Sequence, residues 1–331
     1  MIGPRMKEAK RIDFPPLNGR LHSLCWAGNQ LVDYGGGIIR YQLGAEGKQR
    51  WGGFGSSFDG AINFREGKYA IVYQRLGTKA LILKDDEIVR EISRSYYCAE
   101  VYEYPIAIFN GTGEKVLIAH CPEKYNQLEI EEIETGDKLS TRETKSADFF
   151  HSQLEVSPDG RHLLSAGWVW HPWDVVGIYD LSAVRSTPVL LDKAQDNIPG
   201  IQADEISSAS FLTSSRIVYA GQKEDEAKNF LGVYDLATKE TLSEVPIEQP
   251  GGVLMPLGDY VVSFFEHPKV LEIATGKVIH TWNDISCGNK HGSIIHHLGS
   301  LPKLALDPLN SRFAVGDKER ITVIELDRAT Q

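Results

Sequence analysis

Short segments in which apolar and polar residues alternate recur along the whole chain, and turn sequences separate them. In the clearest copy, strands are predicted at 154–156, 162–166, 176–181 and 188–191, with the turn sequence S-P-D-G between the first two. Alternation with a period of two is typical of β-strands. Because tight turns join successive strands, the pattern predicts antiparallel pairing in chain order.

The same pattern occurs seven times, and amphipathic helical periodicity is nearly absent. Dividing 331 residues by seven gives about 47 residues per copy, close to the ~40–50 residues of a propeller blade. We therefore expect an all-β chain whose residues 1–331 form a single seven-bladed β-propeller of four-stranded antiparallel blades. The predicted blades are roughly 20–52, 58–93, 104–142, 151–192, 206–247, 252–283 and 302–327.

The last copy is one strand short, because only DRATQ follows its third predicted strand, ITVIEL. Near the other end of the chain, residues 11–14 are strand-like and precede the first copy. We expect residues 10–15 to form the outermost strand of the last blade. Closing the ring in this way removes a free sheet edge that would otherwise favour aggregation.

The turns and strand ends of these copies resemble the YVTN and WD-type propeller repeats. The resemblance rests on S-P-D-G at 157–160, Y-D-L at 179–181, Y-D-L-A-T at 234–238 and A-T-G-K at 274–277. It covers essentially the whole chain and implies the propeller fold, but such repeats say little about function. No Gly-His pair precedes a blade, and the only Trp-Asp pair, Trp173-Asp174, is expected in a loop. The resemblance is therefore to a divergent, bacterial form of these repeats.

Composition and charge narrow the range of partners. The formal net charge is −10 and no Lys/Arg-rich cluster is present, so we expect no nucleic-acid partner. No segment approaches the roughly 18 apolar residues of a membrane span, and the N-terminal segment lacks the apolar core of a secretory signal. Cys25, Cys98, Cys121 and Cys287 form no CxxC pair. We therefore expect a cytoplasmic protein with reduced thiols and no membrane partner.

Connections on the two faces of the predicted disc differ in length. The first and third turns of each blade are minimal, whereas the second turns and the links between blades are long and rich in aromatic residues. Long connections in a compact domain are often functional, so we expect this long-loop face to bind another protein. The predicted partner-binding residues are Tyr96, Tyr97, Phe149, Phe150, Trp170, His171 and Trp173. Two alternatives stay open: Trp168 could pack between blades, and Tyr97 and Tyr104 could be buried with capped hydroxyl groups.

A metal or catalytic site is the competing interpretation. His291, His296 and His297 follow Cys287 closely, but their spacing matches no metal motif. Adjacent residues of an extended segment point to opposite sides, which also separates His296 from His297. We predict no catalytic residue, no cofactor and no metal, with these three histidines as the remaining metal candidates.

Two functions stay open. The first is a non-catalytic protein-binding propeller, for example a bacterial immunity or regulatory protein. The alternative is a metal- or carboxylate-dependent hydrolase or lyase with its site in the central channel of the same face.

Overall fold

Seven small antiparallel sheets form the protein in the computed structural model. The structure describes residues 6–43, 47–50, 53–143, 145–170, 173–193, 198, 201, 205–223 and 228–327. Within each sheet the strands pair mainly in chain order, and the first strands of successive sheets contact one another around a common axis. This arrangement is a seven-bladed β-propeller, so the predicted fold is confirmed.

The first strand of the chain, β1 (Glu8–Phe14), belongs to the last blade. Apart from β1, the later strands of every blade lie progressively further from the axis. Blade 1 contains β2 (Cys25–Ala27), β3 (Gln30–Asp33), β4 (Ile39–Tyr41) and β5 (Lys48–Gln49). Blade 2 contains β6 (Gly60–Phe64), β7 (Tyr69–Tyr73), β8 (Lys79–Lys84) and β9 (Glu87–Ser93). Blade 3 contains β10 (Ile106–Asn110), β11 (Val116–His120) and β12 (Glu129–Glu132). Blade 4 contains β13 (Leu154–Val156), β14 (His162–Val169) and β15 (Trp173–Asp180).

The remaining blades follow the same order. Blade 5 contains β16 (Glu205–Thr213), β17 (Arg216–Lys223), β18 (Lys228–Asp235) and β19 (Glu240–Ile247). Blade 6 contains β20 (Val253–Leu257), β21 (Tyr260–Phe265), β22 (His267–Glu272) and β23 (Val278–Thr281). Blade 7 contains β24 (Lys303–Asp307), β25 (Arg312–Gly316) and β26 (Ile321–Leu326). Helical segments are α1 (Leu181–Ser186) and short 3-10 helices at Leu17–Gly19, Pro188–Asp192 and Pro308–Asn310.

Apolar side chains are buried between neighbouring blades, which is where the core lies. Ile71 of blade 2 and Ile118 of blade 3, for example, are fully buried in one shared cluster. Burying such a side chain contributes about 1.5–3 kcal/mol. Because both faces of a blade are covered, the central positions of the second strands are mainly apolar, as in the sequence YAIVY of β7.

The N-terminal strand closes the ring as predicted. β1 pairs antiparallel with β26, with Arg11 opposite Ile324 and Phe14 opposite Ile321, so it is the outermost strand of blade 7. Two side-chain hydrogen bonds add to the pairing. Thr322 Oγ1 donates to Asp13 at 2.6 Å, and the indole nitrogen of Trp282 in blade 6 donates to Glu8 at 2.6 Å.

Blade 4 differs from the expected four-stranded pattern, because the strand predicted at 188–191 is wrong. These residues lie in the 3-10 helix Pro188–Asp192, directly after α1. Asp180 starts α1, since its carboxylate accepts hydrogen bonds from the backbone nitrogens of Ser182 at 2.9 Å and Ala183 at 3.2 Å. Pro188 in turn lacks the N–H group that a paired strand needs.

Two further details differ from the expectations. Blade 3 also has three strands, with the Glu131–Lys138 bridge as the only recorded pairing beyond β12 in the described residues. Trp173 and Asp174, expected in a loop, begin β15, where they pair with Val169 and Trp168 of β14. Within the part of the chain that the structure describes, no helix has the length and apolar character needed to cross a bilayer.

Candidate functional site

The face that carries the long links holds both an aromatic cluster and a group of buried charges. In an antiparallel blade the first strand begins, and the second ends, on the same side. The links between blades and the β14–β15 turn therefore lie on that side, which is the long-loop face. The aromatic cluster lies over blades 3 and 4, and the charges lie at the mouth of the central channel.

Four aromatic rings form a stack over blades 3 and 4, which we call the aromatic stack: Tyr97, Tyr125, Phe150 and Trp168. The rings of Phe150 and Trp168 are nearly parallel, with centroids 3.8 Å apart, and Tyr125 stacks on Phe150 at 4.2 Å. Tyr97 lies 5.0 Å from Tyr125. Trp170 packs edge-on against Phe150 and Trp168, at 5.3 and 5.2 Å. Contacts of this kind favour one fixed arrangement of the rings.

The backbone of blade 4 positions this stack. The nitrogen of Phe150 donates to the carbonyl of Trp168 at 2.9 Å, and the reverse bond is 3.1 Å long. Gly167 makes the close approach possible, because a Cβ atom there would lie 2.0 Å from the carbonyl oxygen of Phe150. The link before β13 is thus fastened to the end of β14 as a short extra pairing.

Of the predicted partner-binding residues, four are exposed. Tyr96 is 84% exposed, and Tyr97, Trp170 and Trp173 are 45%, 45% and 42% exposed. These four residues form what we call the aromatic surface. His171 lies outside the described residues.

The exposure expected for Phe149 and Phe150 is wrong, since both side chains are buried. Phe150 lies inside the aromatic stack, and Phe149 belongs to the core between blades 3 and 4. The structure also decides the open alternatives. Trp168 is buried, Tyr97 is half-exposed, and Tyr104 is buried with a hydroxyl group that has no hydrogen-bond partner among the described residues.

The links that carry Tyr96, Tyr97 and Phe150 also carry exposed charged side chains. Glu100, Lys145 and Asp148 are exposed, and Asp148 accepts a hydrogen bond of 2.6 Å from the hydroxyl group of Tyr125. Burial and this carboxylate together raise the pKa of Tyr125. The hydrogen bond fixes one ring of the stack from its rim.

A cavity of about 440 Å³ occupies the propeller axis, and residues of all seven first strands or the links beside them line it. At its long-loop mouth, Glu103 accepts a hydrogen bond from Arg75 Nε at 2.9 Å and another from Lys290 Nζ. Burial alone would raise the pKa of Glu103, but the two cations more than offset it and hold the pKa well below its usual range. Glu103 is therefore ionised at neutral pH.

A second carboxyl group, Glu155, lies deeper in the channel wall. It accepts hydrogen bonds from Ser210 Oγ at 3.0 Å and from the backbone nitrogen of Phe211 at 3.2 Å. Burial raises its pKa to about 7, and these two donors only partly oppose the effect. Glu155 is thus an acid that titrates near neutral pH inside the cavity.

The link from blade 6 to blade 7, residues 282–302, crosses the long-loop mouth of the channel. Asp174 of β15 accepts a hydrogen bond from the backbone nitrogen of Ser293 at 3.1 Å and one from its hydroxyl group at 2.5 Å. Gly292 leaves room for this contact, because a Cβ atom there would lie 1.9 Å from the Asp174 carboxylate. Burial raises the pKa of Asp174 to about 6. The link is also tied to Glu103 through Lys290.

The candidate metal residues do not form a common site in the described part of the chain. No group of three or more His, Cys, Asp or Glu side chains in those residues is arranged to hold a metal ion. His291, His296 and His297 are exposed. His296 and His297 lie in a turn, with ring centroids 5.4 Å apart, so the expectation that they point to opposite sides is wrong.

Sequence reasoning missed the charged group at the channel mouth. Arg75, Glu103 and Lys290 come from the ends of different blades and belong to no short motif. The available signal was position: Arg75 and Glu103 lie beside predicted strand ends on the long-loop face, and Lys290 lies within a long link of that face.

The fold and this face define the class: a seven-bladed β-propeller with one elaborate face and a polar channel mouth. No protein-family model matches the chain, and no curated protein matches it either.

Proposed function

We propose that this propeller binds another protein through the aromatic surface and that it does so without catalysis. The observation that supports the proposal is the exposure of Tyr97 and Trp170, which belong to or contact the packed aromatic stack, together with the exposure of Tyr96 and Trp173. Large aromatic side chains supply much of the binding energy at protein interfaces. Rings that are already held in place lose little conformational freedom when a partner binds.

The charged rim supports a protein partner more than a small apolar ligand. Glu100, Lys145 and Asp148 are exposed on the links that carry Tyr96, Tyr97 and Phe150, so these links have both signs of charge. Mixed rim charges favour one orientation of a partner and speed its association. We propose a cytoplasmic protein as the partner and, in a bacterial cell, an immunity or regulatory role. The enzymatic alternative in the channel stays a prediction.

Two substitutions on the aromatic surface test this proposal. The partner is first identified by affinity purification with mass spectrometry and then produced pure. Trp170→Ala and Trp173→Ala should each weaken the complex by about 2 kcal/mol, or roughly thirtyfold, in a calorimetric titration. Both tryptophans are half-exposed, so the melting temperature of the free protein should change little.

Matched controls lie on the opposite face. Leu309→Ala removes an apolar side chain that is 78% exposed in the short helix between β24 and β25. Lys68→Glu and Lys277→Glu reverse charges in short turns of the same face. All three variants should bind the partner like the unchanged protein. If they abolish binding while the tryptophan variants keep it, the partner occupies the other face and the proposal is wrong.

A further inference from the structure

The central cavity has the size of a ligand site, and the protein-binding function proposed above does not use it. Its volume of about 440 Å³ falls in the range of about 300–1,000 Å³ that is typical of small-molecule pockets. Its mouth is on the long-loop face, beside Arg75, Glu103 and Lys290. The aromatic surface contributes none of its lining, so the two sites are independent.

Positive charge is in excess at this mouth. The cations are Arg75, Lys290 and Lys303, and the anions are Asp59 and Glu103. Glu155 also lines the cavity, but it lies deeper and burial raises its pKa to about 7, so below that pH three positive charges face two negative ones. Glu103 binds both Arg75 and Lys290. The excess charge therefore lies with Lys303, which shares no ion pair with a described carboxylate.

Lys303 is a half-buried cation with one neutral hydrogen-bond partner. Its ammonium group donates to the main-chain carbonyl of Asp59 at 3.1 Å. No carboxylate oxygen of the described residues lies within 4 Å of the Lys303 ammonium group. Burial lowers the pKa of Lys303 in spite of nearby Asp59, and the positive charge of Arg75 lowers it further. A charge held inside a protein is stabilised by an opposite charge, so this position favours an anionic ligand.

Arg75 offers a second binding group at the same place. Its Nε atom is used by Glu103, while its two terminal nitrogens have no recorded hydrogen bond to the described residues. Those nitrogens match the two oxygens of a carboxylate. Gly60 gives Arg75 the space to lie across β6, because a Cβ atom there would be 2.9 Å from Arg75 Cγ.

The wall below the mouth is largely aliphatic. Leu24, Ile106, Leu254 and Met255 line it. Ser208 also lines the cavity, is 4% exposed, and has a hydroxyl group without a hydrogen-bond partner among the described residues. Such a wall suits a ligand with an apolar body and a polar atom for Ser208.

We propose that the central channel binds a small monocarboxylate with an apolar body, its carboxylate held by Arg75 and Lys303. One excess positive charge matches one negative charge on the ligand. Inorganic phosphate lacks the apolar body that the aliphatic wall accommodates. The apolar body of the ligand replaces water along Leu24, Ile106 and Leu254.

The test uses three acids and a neutral analogue. Hexanoate, octanoate and benzoate are titrated into the protein by calorimetry at pH 6, beside hexanamide and inorganic phosphate, up to 10 mM. At least one acid should bind and raise the melting temperature. Hexanamide and phosphate should bind about tenfold more weakly or not at all, because hexanamide lacks the charge that pairs with Arg75 and Lys303 and phosphate lacks the apolar body.

Two variants locate the site. Lys303→Met keeps the length of the side chain and removes its charge, and Arg75→Gln leaves Glu103 paired with Lys290. Each should weaken binding of the best acid about tenfold or more while the protein still unfolds cooperatively. Lys277→Met, an exposed lysine on the opposite face, and Trp170→Ala on the aromatic surface should bind it unchanged.

Several outcomes would overturn the proposal. They are the absence of binding by every acid, equal binding of hexanoate and hexanamide, or acid binding that survives in both folded variants. Phosphate binding as strong as that of the acids would show that the ligand class is wrong. None of these results depends on the protein partner, so failure here and failure of the proposed function are distinguishable.

Discussion

Replacing Glu155 with Gln tests whether the channel wall holds a carboxyl group in an unfavourable environment. Glu155 accepts hydrogen bonds from Ser210 and from the backbone of Phe211, and burial raises its pKa to about 7. A Gln side chain keeps an oxygen atom for both donors and removes the ionisation. The variant should therefore fold normally and differ from the unchanged protein mainly in how its stability depends on pH.

The magnitude follows from the two pKa values of Glu155, 4.5 for the ordinary group and about 7 in the folded protein. The folded state holds the proton more tightly, so the stability linked to this group is fully present below about pH 4.5 and is lost as the pH rises to 7. A pKa difference of about 2.5, which is 7 minus 4.5, corresponds to about 3 kcal/mol. The Glu155 side chain is only partly shielded from water in the cavity. Solvent screening therefore reduces the expected effect to about 2 kcal/mol.

Urea denaturation at pH 5 and pH 8 measures this effect. The free energy of unfolding of Glu155→Gln, relative to the unchanged protein, should rise by about 2 kcal/mol between the two pH values. Glu91→Gln, at an exposed position of β9, serves as the control and should show no such rise. The reasoning is refuted if Glu155→Gln has the same relative stability at both pH values, or loses stability at pH 8.

Two further predictions concern ring closure and the histidines. Deleting residues up to 15 removes β1 with its buried Phe14 side chain and exposes the edge of β26, so aggregation or a large fall in melting temperature is expected. A truncated protein that melts like the full chain would contradict this. Joint replacement of His291, His296 and His297 by Asn should change the melting temperature little, because all three are exposed. Stoichiometric metal in the unchanged protein, measured by mass spectrometry and lost in this variant, would contradict the second prediction.

The repeat was predictable because strand alternation and turn residues are local properties of the sequence. The S-P-D-G turn before His162, for instance, depends on residues that are neighbours in the chain, and Gly160 has the positive φ of 73° that such turns favour. Closure by β1 was predictable from strand counting alone. The helix at 181–186 was missed because Asp180 satisfies both the repeat pattern and the requirements of a helix cap.

The site was predictable only in part. Loop length and aromatic content pointed to Trp170 and Trp173, which are exposed. They pointed equally to Phe150, which is also aromatic but is buried. The charges at the channel mouth required knowledge of which strand ends converge. Arg75 and Lys290, 215 positions apart in the chain, meet through Glu103, and no local pattern encodes such a meeting.

Length alone is a weak guide to function among the long links of this face. The 282–302 link is as long as the links that carry aromatic residues, yet much of it is fixed to the rest of the protein. Ser293 is held by Asp174, the nitrogen of Ile295 donates to the carbonyl of Val101 at 3.0 Å, and Lys290 reaches Glu103. These contacts join the 282–302 link to β15 of blade 4 and to the link before β10 of blade 3, so this link acts as a structural tie over the channel. Under the proposed function, a partner would use the segments whose aromatic side chains are exposed. Which segments these are depends on contacts that form only in the folded protein.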